Sequence, residues 1–346
     1  MIMKKIAQHL KELNIAYALD LEPSQVTPFG DGHIHSTYLA KTANETFILQ
    51  QFNNSVFQYP DRISHNHRIL LNHLDWNILP FLLPLPIPNI WGELFTVVDG
   101  LYFRLSPFVD GLCTNVVADT LPAKRAAFAF GQLIKAAAHI PAASFQESIP
   151  SFHDLEMRFG QFEDAVRQTK LEIKGELKTL VEFYMEQDGL VATYRHWKNT
   201  LPLRLTHNDT KINNLIFSDT LTEVRAVIDL DTLMGGFVYY DFGDLVRTVA
   251  CTVDESSTEW DKIAVDSTKY EALKEGFTAA VTGVLSEEEI ASLPYGGLMM
   301  TCIMGLRFLT DYLNSNVYYT IHYPEQNFHR SKNQMLLLKS LLAYGK

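Results

Sequence analysis

Cysteine is scarce in this chain: three in 346 residues, Cys113, Cys251 and Cys302, far apart and each in an apolar stretch. No C-x-x-C pair or Cys/His spacing suggests a zinc site, and an odd count gives no disulfide framework. Three buried thiols in a reducing compartment, the cytoplasm, are expected. Positive charge is short as well. Lys and Arg number 29 against 40 Asp and Glu, a net charge of −11 with His neutral. That argues against long contacts to a nucleic-acid backbone, which need clustered cations. It leaves room for a mononucleotide, because one Mg²⁺ and a few local donors can handle three phosphates. Long apolar runs are missing too. The longest, residues 78–90, is broken by Pro80, Pro84, Pro86 and Pro88, too short and kinked to span a bilayer. Gln8 and His9 interrupt the apolar start, so MIMKKIAQHLKEL predicts an amphipathic helix rather than a secretory leader. Neither a repeat nor a low-complexity tract occurs.

What is present divides in two. Residues 25–52 predict strands around a turn: a loop at Phe29-Gly30-Asp31-Gly32, then His35–Ala40 and Thr46–Gln50. Pro60 and Asp61 open a helix running to about Leu74. Phe95–Val98 and Leu101–Leu105 flank Asp99-Gly100, a strong two-residue hairpin signal. Beyond residue 120 the texture turns helical, with periods at 122–139, 171–199, 286–313 and 325–343. The expected architecture is α+β and two-lobed: a small antiparallel-sheet lobe over 1–105, a connection at 106–111, and a mainly helical lobe over 112–346.

The helical part is interrupted once, by LRLTHNDTKINNLIFSDTLTEVRAVIDLD at 203–231. Leu215–Phe217 and Val224–Ile228 predict a hairpin, whose open ends lie side by side. Asn214 before the first strand and Asp229 after the second should therefore meet, offering the oxygen ligands that Mg²⁺ prefers. Asp209, five residues upstream, is placed to take a proton from an incoming hydroxyl. Asp231 follows Asp229 by two residues and should face the same mouth, where it becomes a candidate for acceptor binding.

These residues carry a resemblance. HNDTKINN, with His207, Asp209, Lys211 and Asn214, is similar to the kinase catalytic loop H-R-D-x-x-x-x-N. It resembles the aminoglycoside phosphotransferase and choline-kinase group more than protein kinases. With VIDLDT, YYDFGD, GDGHIHSTY and RFLTDYL, the run looks most like the N-acetylhexosamine 1-kinases. The resemblance implies a protein-kinase-like fold, ATP and Mg²⁺ as cofactors, and a small-molecule acceptor, a sugar first. It implies Asp209 as base, Lys211 facing the transferring phosphate, and Asn214 and Asp229 as metal ligands. Gly30 and Gly32 would form the glycine loop, and 106–111 the hinge, with Pro107 and Val109 at the adenine. His33 in that loop, Arg307 and Tyr318 would join Asp231 in touching the acceptor. Asp241-Phe242-Gly243 spells the protein-kinase metal triplet, but twelve residues past Asp229 in a helical stretch, so Asp241 is assigned to bracing the catalytic loop.

The pattern departs at one place. Gln50 stands where a protein kinase has its strand lysine, and the helix DRISHNHRILLNHL offers no glutamate to pair with one. Gln50 is expected to donate an amide hydrogen bond to the nucleotide, with Lys211 and Mg²⁺ supplying charge. Arg307 and Asp311, at i and i+4, have a surface ion pair as their plainest reading. The alternatives to a sugar kinase are a choline, homoserine or aminoglycoside kinase, and a non-catalytic nucleotide- or sugar-binding relative.

Overall fold

The computed structural model describes residues 6–30 and 34–345. The N-terminal lobe is a five-stranded antiparallel sheet: β1 (Val26–Pro28), β2 (Ser36–Lys41), β3 (Thr46–Phe52), β4 (Thr96–Val98) and β5 (Leu101–Pro107), in the order β1-β2-β3-β5-β4. Between β4 and β5, Asp99 (φ 51°) and Gly100 (φ 76°) both adopt the left-handed region, the geometry a two-residue type I′ turn requires. One face of the sheet buries Tyr38, Leu49, Phe103 and Leu105 against Leu10 and Leu13 of α1 (Leu10–Tyr17). β5 runs two residues past its expected end, because Ser106 and Pro107 still lie opposite Ile48 and Phe47.

The helix α2 (Pro60–His73) begins on a proline, whose missing N–H costs nothing in the first turn. Its buried side chains include two polar ones beside Ile63 and Leu70. Asn66 Nδ2 donates to the carbonyls of Gln146 and Leu233 (2.8 Å each), and His67 Nε2 to that of Leu230 (3.1 Å). The helix that lacks a glutamate is thus fastened to the other lobe by an amide and an imidazole.

The C-terminal lobe holds α3 (Thr120–Ala136), α4 (Leu155–Gln168), α5 (Gly175–Met185), α6 (Asp188–Thr200), α7 (Val238–Val249), α8 (Ser267–Val281), α9 (Glu287–Leu313) and α10 (Gln326–Tyr344). The helical period at 171–199 is two helices. Gln187 donates to the Tyr184 carbonyl (3.1 Å), closing a tight turn between α5 and α6. α7 and α9 cross at a glycine contact: a Cβ on Gly243 would sit 2.1 Å from the Gly296 carbonyl oxygen. Two short antiparallel pairs sit between the lobes: β6 (Arg204–Thr206) with β9 (Met234–Gly236), and β7 (Leu215–Phe217) with β8 (Val224–Val227). Cys251 and Cys302 are buried as expected, whereas Cys113 is exposed. Leu112 pairs with Phe217 at the outer edge of the β7–β8 hairpin, which carries the next residue onto the rim. No helix among the described residues is long and apolar enough to cross a membrane.

Candidate active site

The β7–β8 hairpin is local in sequence, and it brings the expected residues together. Ile228 N donates to the Asn214 carbonyl (2.9 Å), so Asn214 and Asp229 flank one hydrogen bond at the hairpin mouth. Asn214 Nδ2 reaches the Asp209 carbonyl (2.8 Å) and its Oδ2 (3.0 Å), and Lys211 Nζ lies 2.9 Å from Asp209 Oδ1. Burial by itself would raise the Asp209 carboxyl; the Lys211 ammonium, with His207 and the Asn214 amide, holds it below the usual carboxylate value. The Lys211 ammonium is stabilised well above its ordinary value by Asp209, against its own burial. At neutral pH the pair is a carboxylate beside an ammonium.

The loop bearing Asp209 is braced from α7. Asp241 accepts from the backbone N–H of His207 (2.9 Å) and Asn208 (2.8 Å), while Thr210 Oγ1 donates to the Asp241 carbonyl (2.7 Å). The literal D-F-G triplet is therefore structural, and Asp241 is fully buried. Asn208 takes a left-handed φ of 64°, which asparagine tolerates better than most residues. Its side chain closes the turn, with Nδ2 donating to the carbonyls of Thr206 (3.1 Å) and Thr232 (3.0 Å).

Three histidines complete the frame. His67, His153 and His207 each have Nε2 on a main-chain carbonyl: Leu230 (3.1 Å), Asn208 (2.8 Å) and Ile228 (2.9 Å). A carbonyl only accepts, so each Nε2 carries a proton. Burial lowers His67 to about 4 and His153 to about 3, which keeps both neutral. Sequence reasoning missed His67 and His153.

Asp229 also adopts a left-handed φ, 59°. Its carboxylate is accessible from the cleft yet ringed by protein. Lost hydration, then Asp231 and Asp209, push it up to about 6. Among the described residues no donor reaches that carboxylate or the Asn214 Oδ1. Two hard oxygen ligands with spare lone pairs, beside surplus negative charge, fit Mg²⁺. Among the described residues no group of three or more His, Cys, Asp or Glu could hold a metal, so the set is open rather than a closed cage.

Asp231 is placed differently from its expected role at the acceptor. Its side chain is fully buried, and both oxygens are taken by Arg104 (Nη1 to Oδ1; Nη2 to Oδ2, 2.9 Å) and by His35 Nε2 (2.9 Å). Gln50 is not free for phosphate either: Oε1 accepts from Arg104 Nε (2.9 Å) and Nε2 donates to Thr37 Oγ1 (3.1 Å). Arg104, which sequence reasoning also missed, is thus the cation beside the lysine position. Gly30 takes a left-handed φ of 72°. Pro107 ends β5 and Val109 follows it, half-buried; Gly32 and His33 lie outside the described residues.

Arg307 and Asp311 do not pair. Asp311 accepts from the backbone N–H of Tyr318 (2.8 Å) and Tyr319 (3.0 Å) and from Asn327 Nδ2 (2.9 Å), pinning the loop after α9. Arg307 instead lies over three rings, Phe152, Tyr318 and Tyr319, at 5.3–5.7 Å. It helps line a cleft of about 460 Å³ with Arg158, Gln161, Thr310 and Tyr318. Phe152, beneath Arg307, adjoins His153, whose Nε2 donates to the carbonyl of Asn208, one residue from Asp209.

A small sheet lobe over a helical lobe, with a carboxylate, an ammonium and two open oxygen ligands at a hairpin mouth between them, defines a two-lobed small-molecule kinase of protein-kinase-like fold. The chain belongs to the phosphotransferase enzyme family (APH), whose family model matches residues 25–273, and is an ATP-dependent enzyme of that class. Its fold is similar to a microcompartment-associated aminopropanol kinase (TM-score 0.69, 16% identity, 99% of this chain and 98% of that one). It is also similar to an aminoglycoside phosphotransferase from Alicyclobacillus acidocaldarius (0.62, 12%, 95% and 94%). A third similar structure is a spectinomycin phosphotransferase in complex with ADP and its antibiotic (0.59, 14%, 98% and 98%).

Proposed function

We propose that this kinase transfers the γ-phosphoryl group of Mg-ATP to a sugar, at the anomeric hydroxyl of an N-acetylhexosamine. The acceptor enters through the Arg307 cleft. Its hydroxyl approaches Asp209, whose carboxylate takes the proton as the new O–P bond forms and the bond from the γ-phosphorus to the bridging oxygen breaks, releasing ADP. The Lys211 ammonium, now on Asp209, turns toward the phosphoryl oxygens. Asn214 and Asp229 would hold Mg²⁺, which would neutralise the phosphate charge. The segment 106–111, with Pro107 and Val109, meets the adenine, and Gly30 and Gly32 cover the phosphates. An anomeric hydroxyl is more acidic than its ring neighbours, so a carboxylate as weakly basic as Asp209 suffices there.

The observation that carries the acceptor assignment is the chemistry of the cleft. It offers directional donors and an aromatic face, which suit a polyhydroxylated ring. Of its two carboxylates, Asp311 is committed to backbone N–H groups and Asp164 pairs with Arg167. Arg158 and Arg307 remain as guanidinium groups with no carboxylate inside ion-pair distance among the described residues. Such a lining disfavours a cationic aminoglycoside or amino alcohol. The test is ADP release with a panel of N-acetylhexosamines, choline, homoserine, aminopropanol and an aminoglycoside. Turnover with a hexosamine, and a rise of tenfold or more in its KM on Arg307→Ala, support the reading. Activity confined to an amine acceptor contradicts it.

A further inference from the structure

Protein kinases fix the N-lobe to the phosphates through a strand lysine and a helix glutamate. Here the strand offers Gln50, and α2 offers no glutamate, its one acid being Asp61 in the first turn. The structure fills the gap with other residues. Arg104 lies opposite Gln50 across the β3–β5 ladder, and its fork closes on both oxygens of Asp231 in the loop that follows β8. Gln50 and His35 lock the fork from the sheet side. Gln50 Oε1 accepts a hydrogen bond from Arg104 Nε, and Thr37 Oγ1 accepts from Gln50 Nε2 and orients the amide. His35 Nδ1 accepts from Asn53 N (3.0 Å), which puts the ring proton on Nε2, facing Asp231. His35 also stacks on Phe52, with ring centroids 4.8 Å apart. Every one of these partners except Asp231 belongs to the sheet lobe.

We propose that Arg104 is the positioning residue of the metal loop: by gripping Asp231 it ties the N-lobe sheet to the backbone that carries Asp229 two residues earlier, and so presets Asp229 for the metal of a metal-nucleotide. The carboxylate partner has moved from the helix to the metal loop, which makes lobe closure and metal-ligand placement a single event. The bidentate geometry matters, because a lysine supplies one point charge and cannot fix the plane of a carboxylate. The left-handed backbone of Asp229 is a conformation that surrounding structure must hold, and the Arg104–Asp231 fork begins two residues away. This inference rests on Asn214 and Asp229 as the metal ligands, and not on the identity of the acceptor.

The test needs no acceptor. Mn²⁺ binding to the enzyme–ADP complex is measured by electron paramagnetic resonance, and ADP affinity by calorimetry with and without Mn²⁺. The variants are Arg104→Lys and the double variant Arg104→Met/Asp231→Leu. The double variant removes both buried charges together and so keeps the fold, which melting confirms. The expected result is a tenfold or greater loss of Mn²⁺ affinity in both, with metal-free ADP binding changed less than threefold. Unchanged Mn²⁺ affinity in the folded double variant overturns the proposal and leaves the pair a stabilising contact only. An equal loss of ADP affinity without metal also overturns it, because Arg104 then grips phosphate directly. A wild-type enzyme that binds no Mn²⁺ with ADP overturns the metal-ligand reading itself, and this inference with it.

Discussion

Asp209 and Lys211 form a contact pair in this state, and their roles separate by charge. Asp209→Asn keeps the shape and the Asn214 contact but cannot accept a proton. We expect kcat to fall by roughly 10²–10⁴ with nucleotide affinity little changed, measured by steady-state kinetics and calorimetry. Retention of a tenth of the activity would remove Asp209 from the base role. The two other aspartates divide similarly. Asp229 is open to the cleft and accepts no hydrogen bond among the described residues, so Asp229→Ala should abolish metal-dependent turnover at little cost in stability. Asp241 is buried and accepts two backbone N–H groups. Its loss strands both donors, at about 3 kcal/mol by the usual charged hydrogen-bond range. Denaturant unfolding of the two variants distinguishes them, and the reverse ranking would contradict the division.

At the scale of elements, what the sequence disclosed depends on how far the partners lie apart. The β7–β8 hairpin closes within fifteen residues, so Asn214 and Asp229 could be placed together from strand pattern and turn alone. The β4–β5 turn was equally legible, because Asp-Gly states its own backbone geometry. Arg104 was not. It is one arginine on an apolar strand, and its partner is 127 residues away. His67 was not legible either: its carbonyl partner lies 163 residues on, and that of His153 55 residues on. The Arg307–Asp311 spacing suggested an ion pair because helical periodicity says nothing of a loop returning to claim the carboxylate.

The histidines give this scale its pH dependence. Both are neutral in the fold, with values lowered from about 6.5 in the unfolded chain to about 4 for His67 and about 3 for His153. Above pH 6.5 neither state is protonated and their contribution is fully present. As pH falls below 6.5 the unfolded chain takes up protons that the folded one refuses, so stability is lost between 6.5 and about 4 for His67, and down to about 3 for His153. Their contribution to the melting temperature should fall across that window, against an opposite one from Asp229 and Asp241, whose carboxyls burial raises to about 6. His67→Gln and His153→Gln, which keep a donor but do not titrate, should each flatten the slope; an unchanged slope in both would contradict the assignment. At the α7–α9 crossing, Gly243→Ala forces a methyl 2.1 Å from a backbone oxygen. We expect about 3 kcal/mol or more of destabilisation, read by denaturant unfolding.

The whole molecule is two lobes joined by charged and polar contacts from the sheet and by apolar packing behind it, where Leu70, Leu74, Phe81, Leu83 and Leu85 belong to the same core as the helical lobe. The sheet lobe has its own apolar cluster, and Arg104, His35, Asn66 and His67 bridge to the loops after β8. Ligation across such a seam should stabilise the fold by mass action, by about 2.7 kcal/mol at a hundredfold excess over Kd. Mg-ADP should therefore raise the melting temperature, and chelation of the metal should remove most of the gain. The central claim concerns the product of the closed state. Enzyme, Mg-ATP and N-acetylglucosamine or N-acetylgalactosamine are incubated, and the phosphate is located by phosphorus NMR through its coupling to the sugar proton. The account predicts a sugar 1-phosphate, with methyl glycosides inert because the anomeric oxygen is blocked. Phosphorylation at the 6-hydroxyl, or equal turnover of the methyl glycosides, would contradict it.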